Sequence, residues 1–434
     1  MIGSKRLLHL ACLGGVIAVV GCGAGGTAAA DEMTLAWTLQ LASESFEDAR
    51  AVATDVSGNV YVAGWTGGTL GGAKKGGAED ADAFVRKYDS SGRLLWRRQP
   101  GTEASDYAWA LATDAAGDVY VAGYTYGSLG GAKKGGAYDA DAWVRKYDPS
   151  GRLLWQRQPG TETFDLASAV ATDAAGDVYV GGWTYGALGG AKKGANYADA
   201  WVRKYDPSGR LLWQRQRGSV AEDTVTALAT DAAGDVYLAG TTYGSIAGAH
   251  QGRRDAWVMK YSAAGQLLWM RQLGTDGIDL AYGLATDAAG DVYVAGTEFW
   301  RSLGGAYKGG VDAWVMKFDP SGVLLWKRQP GTARNEGAGG VAADAAGNVY
   351  LVGGTLGWLG GANHGDVDAW VIKYDPSGQI LWRQQPGTPE ADYASAVATD
   401  SAGSVYLVGG TSGSLAGAYE GRGDAFLLKF SATE

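Results

Sequence analysis

Residues 112–131 read ATDAAGDVYVAGYTYGSLGG, and residues 141–161 read DAWVRKYDPSGRLLWQRQPGT. Two phrases in this stretch recur along the chain at intervals of 56–59 residues. Self-similarity at such a period is typical of repeat folds, in which each copy forms one unit of structure. The Asp of the first phrase, Ala-Thr-Asp-x-x-Gly-x-Val-Tyr, is Asp55, Asp114, Asp173, Asp231, Asp287, Asp344 and Asp400. The second phrase, Asp-Ala-Trp/Phe-Val/Leu-x-Lys-Tyr/Phe, begins at Asp82, Asp141, Asp199, Asp255, Asp312, Asp368 and Asp424.

A third phrase, Leu-Leu-Trp-x-Arg-Gln, indicates how the array closes. Its Trp occurs only six times in this context, as Trp96, Trp155, Trp213, Trp269, Trp326 and Trp382. The missing copy lies at the other end of the chain, where Leu35–Gln40 place Trp37 and Gln40 in the positions of Trp96 and Gln99. A repeat split in this way predicts a ring closed by the N-terminal strand, which leaves no blade with an unpaired edge.

Each repeat reads as four short strands, A to D. Alternating or continuous apolar runs rich in Val, Tyr and Trp predict the strands, and Gly-containing tetrapeptides separate them. Asp148–Gly151 reads as a type I turn that ends in a left-handed Gly, and Asp173–Gly176 uses the same chemistry without Pro. The sequence therefore predicts an all-β fold, a seven-bladed β-propeller of four-stranded antiparallel blades.

The N-terminal segment has a different character. Lys5 and Arg6 precede a mostly apolar run that is too short to span a bilayer and that ends in Val19-Val20-Gly21-Cys22. This pattern resembles the lipobox of bacterial lipoproteins. We therefore expect a signal peptide at 1–21, lipidation at Cys22, a flexible tether at 22–33 and the propeller at 34–434. Gly23 in place of Asp favours the outer membrane over the inner one in such proteins.

The two quoted stretches resemble the bacterial SBBP repeat, whose seven copies form a β-propeller. The resemblance extends over nearly all of residues 34–434 and implies an exported or surface protein without a defined activity. The YDPSGRLLW portion is also similar to repeats of quinoprotein-like propellers, including an outer-membrane assembly lipoprotein. Those rings usually have eight blades, and the adjacent Cys pair of many quinone-dependent dehydrogenases is absent here. We expect no cofactor.

Candidate ligand-binding residues lie on the face that carries the B–C and D–A connections, the long-loop face. Connections of this length usually exist for binding or are disordered. Blades 1 to 3 place an aromatic arc directly after strand B and a Lys pair in each B–C loop, which together could stack sugars or hold an acidic partner. Recent duplication of these three blades explains the same pattern without any function. The residues are Trp65, Tyr124 and Trp183 with Lys74, Lys75, Lys133, Lys134, Lys192 and Lys193.

Acidic residues also recur on this face, in the D–A loops. Pairs such as Glu103 with Asp106, or Glu162 with Asp165, could act as acid and base or bind a cation, but a repeat generates pairs automatically. The Asp residues that open strand C are predicted to cap backbone N–H groups of the loops. Arg145, between Trp143 and Tyr147, is predicted to form a cation–π contact between blades.

The sequence contains no recognisable catalytic constellation. His250 and His364 lie two blades apart, and the sequence has no zinc motif, phosphate loop or His-based triad. The formal charge of −9 argues against a nucleic-acid partner. The leading hypothesis is a membrane-tethered binding or scaffold propeller that engages a protein or a glycan. The alternatives are a polysaccharide hydrolase or lyase that uses D–A carboxylates, and a quinoprotein-like outer-membrane assembly factor.

Overall fold

The computed structural model describes residues 33–432, and every helix or strand element in that range is a β-strand. The predicted signal peptide at 1–21, Cys22 and the tether up to residue 32 lie outside the described residues. Across 33–432 the chain forms no helix with the length and apolarity that a membrane crossing requires.

The 28 strands form seven antiparallel sheets of four strands, each of which is one blade. Blades 1 to 3 contain β2 (Glu47–Thr54), β3 (Val60–Thr66), β4 (Asp82–Tyr88) and β5 (Leu94–Arg98); β6 (Asp106–Thr113), β7 (Val119–Thr125), β8 (Asp141–Tyr147) and β9 (Leu153–Arg157); β10 (Asp165–Thr172), β11 (Val178–Thr184), β12 (Asp199–Tyr205) and β13 (Leu211–Arg217).

Blades 4 to 7 repeat this order, and the last blade includes the first strand of the chain. They contain β14 (Asp223–Thr230), β15 (Val236–Thr242), β16 (Asp255–Tyr261) and β17 (Leu267–Leu273); β18 (Ile278–Thr286), β19 (Val292–Phe299), β20 (Val311–Phe318) and β21 (Leu324–Arg328); β22 (Glu336–Ala343), β23 (Val349–Thr355), β24 (Asp368–Tyr374) and β25 (Ile380–Gln384); β26 (Asp392–Thr399), β27 (Val405–Thr411), β28 (Asp424–Ala432) and β1 (Met33–Leu41).

Blade 7 confirms the predicted closure. Strand β1 pairs with β28 in an antiparallel register that runs from Met33 opposite Ala432 to Leu41 opposite Ala425. The register shifts between Leu35 and Trp37. Blade 1 has the same irregularity, between Leu94 and Trp96. The N-terminal strand therefore reproduces strand D of the other blades in its register as well as in its sequence.

Local sequence accounts for the turns between the strands. Gly151 has a φ of 80° and donates its N–H to the Asp148 carbonyl at 2.8 Å. The Asp148 carboxylate accepts the backbone N–H groups of Ser150 and Arg152 at 2.9 and 2.8 Å. A left-handed φ is strained for residues with a Cβ, which is why Gly recurs here. The predicted C–D turn is confirmed.

Neighbouring blades are joined near the turns by threonines of the innermost strands. Thr113 donates its hydroxyl to the Thr54 carbonyl at 2.7 Å, and Thr172 donates to the Thr113 carbonyl at 2.7 Å. The chain of contacts continues around the ring. It is interrupted at residue 343, where Ala replaces Thr. The remaining donors are Thr54, Thr230, Thr286 and Thr399.

The prediction for Arg145 is wrong. Its Nη2 donates to the Leu129 carbonyl at 2.7 Å and so fastens the B–C loop of its own blade. The neighbouring Lys146 makes the cation–π contact instead, with its Nζ 4.9 Å from the Tyr120 ring centroid, and also forms ion pairs with Asp114 and Asp118 at 3.3 and 2.8 Å. Because alternate strand residues face opposite sides, a one-residue difference changes the partner completely.

Candidate functional site

Exposed aromatic side chains are confined to one side of the ring. Of the Tyr and Trp residues within 33–432, nine are exposed, and all nine lie in B–C loops or on innermost strands that open towards the long-loop face. The opposite face consists of tight A–B and C–D turns. The nine residues are Tyr138, Tyr197, Tyr243, Tyr282, Trp300, Tyr307, Trp358, Tyr393 and Tyr419.

The Asp residues that open strand C hold the long loops in place, as predicted. Asp82 is fully buried, and its Oδ2 accepts the backbone N–H of Lys75 at 2.8 Å and the Nε2 of Gln99 at 2.9 Å. The same pair of contacts, a loop N–H and the Gln that ends the third phrase, recurs in every blade. The other acceptors are Asp141, Asp199, Asp255, Asp312, Asp368 and Asp424.

The second member of each acidic D–A pair is also committed to the backbone. Asp106 is fully buried and accepts the N–H and hydroxyl of Thr102 at 2.6 and 2.9 Å. Burial, with a smaller contribution from the nearby Asp82, raises the pKa of Asp106 to about 6. Its pair member Glu103 is exposed on the loop. Within residues 33–432, no group of three or more His, Cys, Asp or Glu side chains is arranged to hold a metal ion.

The Lys pairs fasten the B–C loops on which they lie. The Lys74 Nζ donates to the backbone carbonyls of Gly67 at 2.6 Å and Asp80 at 2.7 Å. Lys75 is exposed, but its Nζ donates to the Gly101 carbonyl at 3.2 Å. Lys133, Lys134 and Lys192 make equivalent carbonyl contacts, and Lys193 donates its backbone N–H to Asp199. Each pair thus has a structural role in its own loop.

The aromatic arc lies inside strand B, and the prediction that it directly follows that strand is wrong, because strand B continues to the next residue, Thr66 in blade 1, which pairs with Asp82. Trp65 is half-buried and pairs across the sheet with Asp48 of the innermost strand. Tyr124 and Trp183 occupy the same position in blades 2 and 3. Tyr107 of β6 and Phe164, which directly precedes β10, connect the three into one continuous row. Successive centroids are 4.8–5.8 Å apart, in the order Trp65, Tyr107, Tyr124, Phe164 and Trp183.

The innermost strands enclose a central channel with a cavity volume of about 930 Å³. Its wall is mainly Ala, Val, Leu and Gly, with aromatic rings at Trp109, Trp183, Tyr282, Phe299 and Tyr393. Among the described lining residues, Arg50 alone carries a charge. One residue from every blade forms an aliphatic ring within the channel, comprising Val52, Leu111, Val170, Leu228, Leu284, Val341 and Val397.

A β-bulge in each innermost strand turns one further residue towards this channel. In blade 1 the register passes from Ala49 to Ala51 and leaves Arg50 unpaired, and the other six blades shift at the equivalent residue. Bulges often re-aim side chains at binding sites. We call these seven residues the bulge ring; they are Arg50, Trp109, Ser168, Thr226, Tyr282, Gly339 and Ser395.

The bulge ring was missed in the sequence, although a signal for it was present. Most buried positions of the repeat carry the same residue or a close homologue in all seven blades, whereas this position ranges from Gly to Trp. Because the seven blades repeat the same backbone, these seven positions have nearly the same surroundings. Backbone packing therefore does not decide which residue occupies each of them. Variation inside an otherwise regular repeat therefore marks the channel.

Blade 5 departs from the repeat beside the channel. Glu298 occupies the place of a Thr found in the other six blades, and it is almost fully buried. Its carboxylate accepts the Leu303 N–H and the Gln329 Nε2, the latter at 2.5 Å. Burial raises the pKa of Glu298 to about 7, with further contributions from Asp279 and Asp312. Two residues further along the chain, Trp300 is exposed with a φ of 66°.

Comparison with known proteins supports the repeat assignment. A family model described as the SBBP β-propeller repeat matches residues 268–297 and 381–416, which run from strand D of one blade into strand B of the next. The regulatory protein FlaEY of Caulobacter vibrioides is 27% identical over 177 residues, which cover 37% of this chain and 18% of FlaEY. The chain therefore spans less than a fifth of that relative.

Two solved structures are similar at low identity. A gluconolactonase from Xanthomonas campestris aligns with a TM-score of 0.36 and 15% identity, covering 67% of this chain and 81% of that one. The β-propeller domain of the Trilobed protease from Pyrococcus furiosus aligns with a TM-score of 0.46 and 9% identity, covering 91% of this chain and 97% of that one.

Proposed function

We propose that this chain is a glycan-binding propeller, tethered to a membrane surface through Cys22, that engages its ligand with the long-loop face. The observation that supports the proposal is the placement of all nine exposed aromatic side chains on that side. Large exposed aromatics are costly in solubility unless they meet a partner. Their flat faces stack against the C–H faces of sugar rings, and Tyr adds a hydroxyl for hydrogen bonding.

The distribution of these aromatics over six blades favours an extended glycan over a protein partner. Six consecutive blades each present an exposed aromatic in the B–C loop. A protein interface usually needs one contiguous apolar centre surrounded by a polar rim. Separate aromatic side chains, one or more in each of six blades and at differing positions of their loops, suit an extended polymer that contacts several blades. In blade order they include Tyr138, Tyr197, Tyr243, Tyr307, Trp358 and Tyr419.

The polysaccharide hydrolase or lyase alternative lacks support from the acidic loops. It requires two accessible carboxylates that flank one sugar bond. The inner member of each D–A pair is fully buried and hydrogen-bonded to the loop, as Asp106 and Asp165 illustrate. Exposed Glu103 and Glu162 remain, one in each loop. We therefore assign these carboxylates to loop architecture.

Glycan capture on an array by the purified protein tests the proposal. Three loop substitutions, Tyr138→Glu, Tyr197→Asp and Trp358→Ser, should together reduce capture strongly without loss of folding, because other blades carry Glu79, Asp139 and Ser128 at these positions. Leu154→Ser with Leu212→Ser, on exposed outer-strand positions, is the matched control and should leave capture unchanged. Capture of a protein instead of a glycan through the same loops would overturn the glycan assignment.

A further inference from the structure

The channel changes in character along its axis. The aliphatic ring from Val52 to Val397 consists only of Val and Leu, each of them buried. The bulge ring lies two residues nearer the start of every innermost strand, and therefore nearer the long-loop face. Polar and aromatic groups line this outer part. A polar ligand that enters from the long-loop face is thus accommodated as far as the bulge ring and no deeper, because the aliphatic ring offers it no hydrogen bonds.

Arg50 is held rigidly at this level. Its Nη2 lies 2.7 Å from the Oδ2 of Asp48, and its guanidinium carbon lies 4.8 Å and 5.1 Å from the ring centroids of Trp65 and Trp109. The Tyr393 hydroxyl donates to the same Asp48 oxygen at 3.2 Å. About a third (31%) of the Arg50 side chain nevertheless remains exposed. Trp65 and Trp109 are themselves neighbours, with centroids 5.3 Å apart. A guanidinium held by a carboxylate and by two adjacent rings is a pre-oriented hydrogen-bond donor.

The charge at the site is compensated. Asp48 neutralises Arg50, and the other described residues that line the cavity are uncharged. An acidic ligand would gain little from such a cation, because its negative charge would also face Asp48. A neutral ligand rich in hydroxyl groups gains the Arg50 donor together with stacking surfaces at Trp109 and Trp183.

We infer that the long-loop end of the channel, at the level of the bulge ring, binds one unit of a neutral saccharide with Arg50 as the hydrogen-bond donor and Trp109 as the stacking surface. This inference rests on the proposed function and adds the ligand class and the residues that recognise it. The exposed aromatic side chains of the B–C loops hold the rest of the glycan, whereas the channel recognises one of its sugar units. Specificity then resides in the bulge ring.

Tryptophan fluorescence and calorimetric titration of the purified protein test the inference with three probes. These are cellohexaose and chitohexaose, which are neutral, and hexagalacturonate, which is anionic. Arg50→Ser and Trp109→Ser should each weaken binding of a neutral hexasaccharide about tenfold or more, because each removes a direct contact. Ser already occupies the equivalent position at Ser168 and Ser395, so folding should be retained. Tighter binding of hexagalacturonate than of either neutral probe would overturn the ligand class.

A second variant keeps the test informative if either Ser substitution impairs folding. Ser395→Trp adds a ring at a bulge position that already carries Trp in blade 2, and it should block the site without removing an existing contact. If all three channel variants bind like the unsubstituted protein while the loop variants lose glycan capture, the channel inference fails and the proposed function stands. If the unsubstituted protein captures no glycan, the proposed function fails, and the channel inference that rests on it fails as well.

Discussion

The Nε2 of Gln40 lies 2.5 Å from the Oδ2 of Asp424, although 384 positions separate the two residues in the chain. In blade 1 the same contact joins Gln99 and Asp82 at 2.9 Å across 17 positions. The Oε1 of Gln40 also accepts the Ala416 N–H at 3.0 Å, just as Gln99 accepts loop N–H groups. The seam of the ring therefore uses the side-chain chemistry of an ordinary blade.

Closure can be tested by comparing two equivalent glutamines. Gln40→Ala should lower the free energy of unfolding by about 1–3 kcal/mol, because it leaves buried Asp424 without its side-chain donor. Gln158→Ala, which removes the partner of Asp141 inside blade 2, is the matched control and should cost a similar amount. Chemical denaturation measures both. A harmless Gln40→Ala beside a destabilising Gln158→Ala would show that the seam is not a working blade interface.

Glu298 should make stability depend on pH. Burial raises its pKa from an ordinary 4.5 to about 7, so the folded protein keeps a proton that the unfolded chain releases. The resulting stabilisation is complete below the ordinary pKa and is lost as the pH rises through about 7. Asp106 and Asp279, with pKa values raised to about 6, act in the same direction.

We therefore expect a higher melting temperature at about pH 5 than at about pH 8. Glu298→Thr, which restores the residue found in the other blades, should reduce this difference. Glu79→Gln alters an exposed loop residue and serves as the control. An unchanged pH profile in Glu298→Thr would contradict the assignment.

The interrupted threonine ring offers a stabilising substitution. Ala343→Thr should supply the missing hydroxyl donor to the Thr286 carbonyl and raise the free energy of unfolding by about 0.5–1.5 kcal/mol. Thr172→Ala breaks the contact to the Thr113 carbonyl and should have the opposite effect. Denaturant titration of both variants gives the sign. Destabilisation by Ala343→Thr would mean that the backbone at blade 6 cannot accept the extra side chain.

Anchoring is tested at Cys22. Cys22→Ala should move the protein from the membrane fraction to the soluble fraction, because a lipid on this sulfur is the proposed attachment. Fractionation in high salt, followed by detection of the protein, makes the comparison, and Cys12→Ala is the control because that residue lies in the predicted signal peptide. Retention of Cys22→Ala on membranes would disprove the lipid anchor.

Much of the architecture was predictable because the repeat displays it seven times. The phrases located the strands, the turn glycines and the capping role of Asp82, all of which depend on local chemistry. The partner of Asp82 is Gln99, which directly follows strand D of the same blade, and the sequence alone does not show that the two side chains meet. Arg145 was misassigned because its carbonyl partner at Leu129 depends on how the B–C loop folds back.

The candidate site was harder to predict because it depends on contacts that the local sequence does not determine. The aromatic arc was recognisable because blades 1 to 3 carry an aromatic residue at the same position of the repeat, but its relation to the channel depends on the bulge at Arg50, which periodicity does not reveal. The Lys pairs were predicted to be available to ligands, because the sequence does not show which backbone carbonyls the folded loops bring close to them. Residues that vary among the copies were the better guide to the channel.

The pairing of Met33 with Ala432 also fixes the order in which the molecule can be completed. Among the described strands, β1 is synthesised first and its partner β28 last, so β1 has no native neighbour until the whole ring has been made. Contacts that are distant in sequence form slowly. Blades 1 to 6 consist of consecutive strands, whereas blade 7 needs both ends of the ring, and a chain interrupted before β28 retains an unpaired first strand that is open to mispairing.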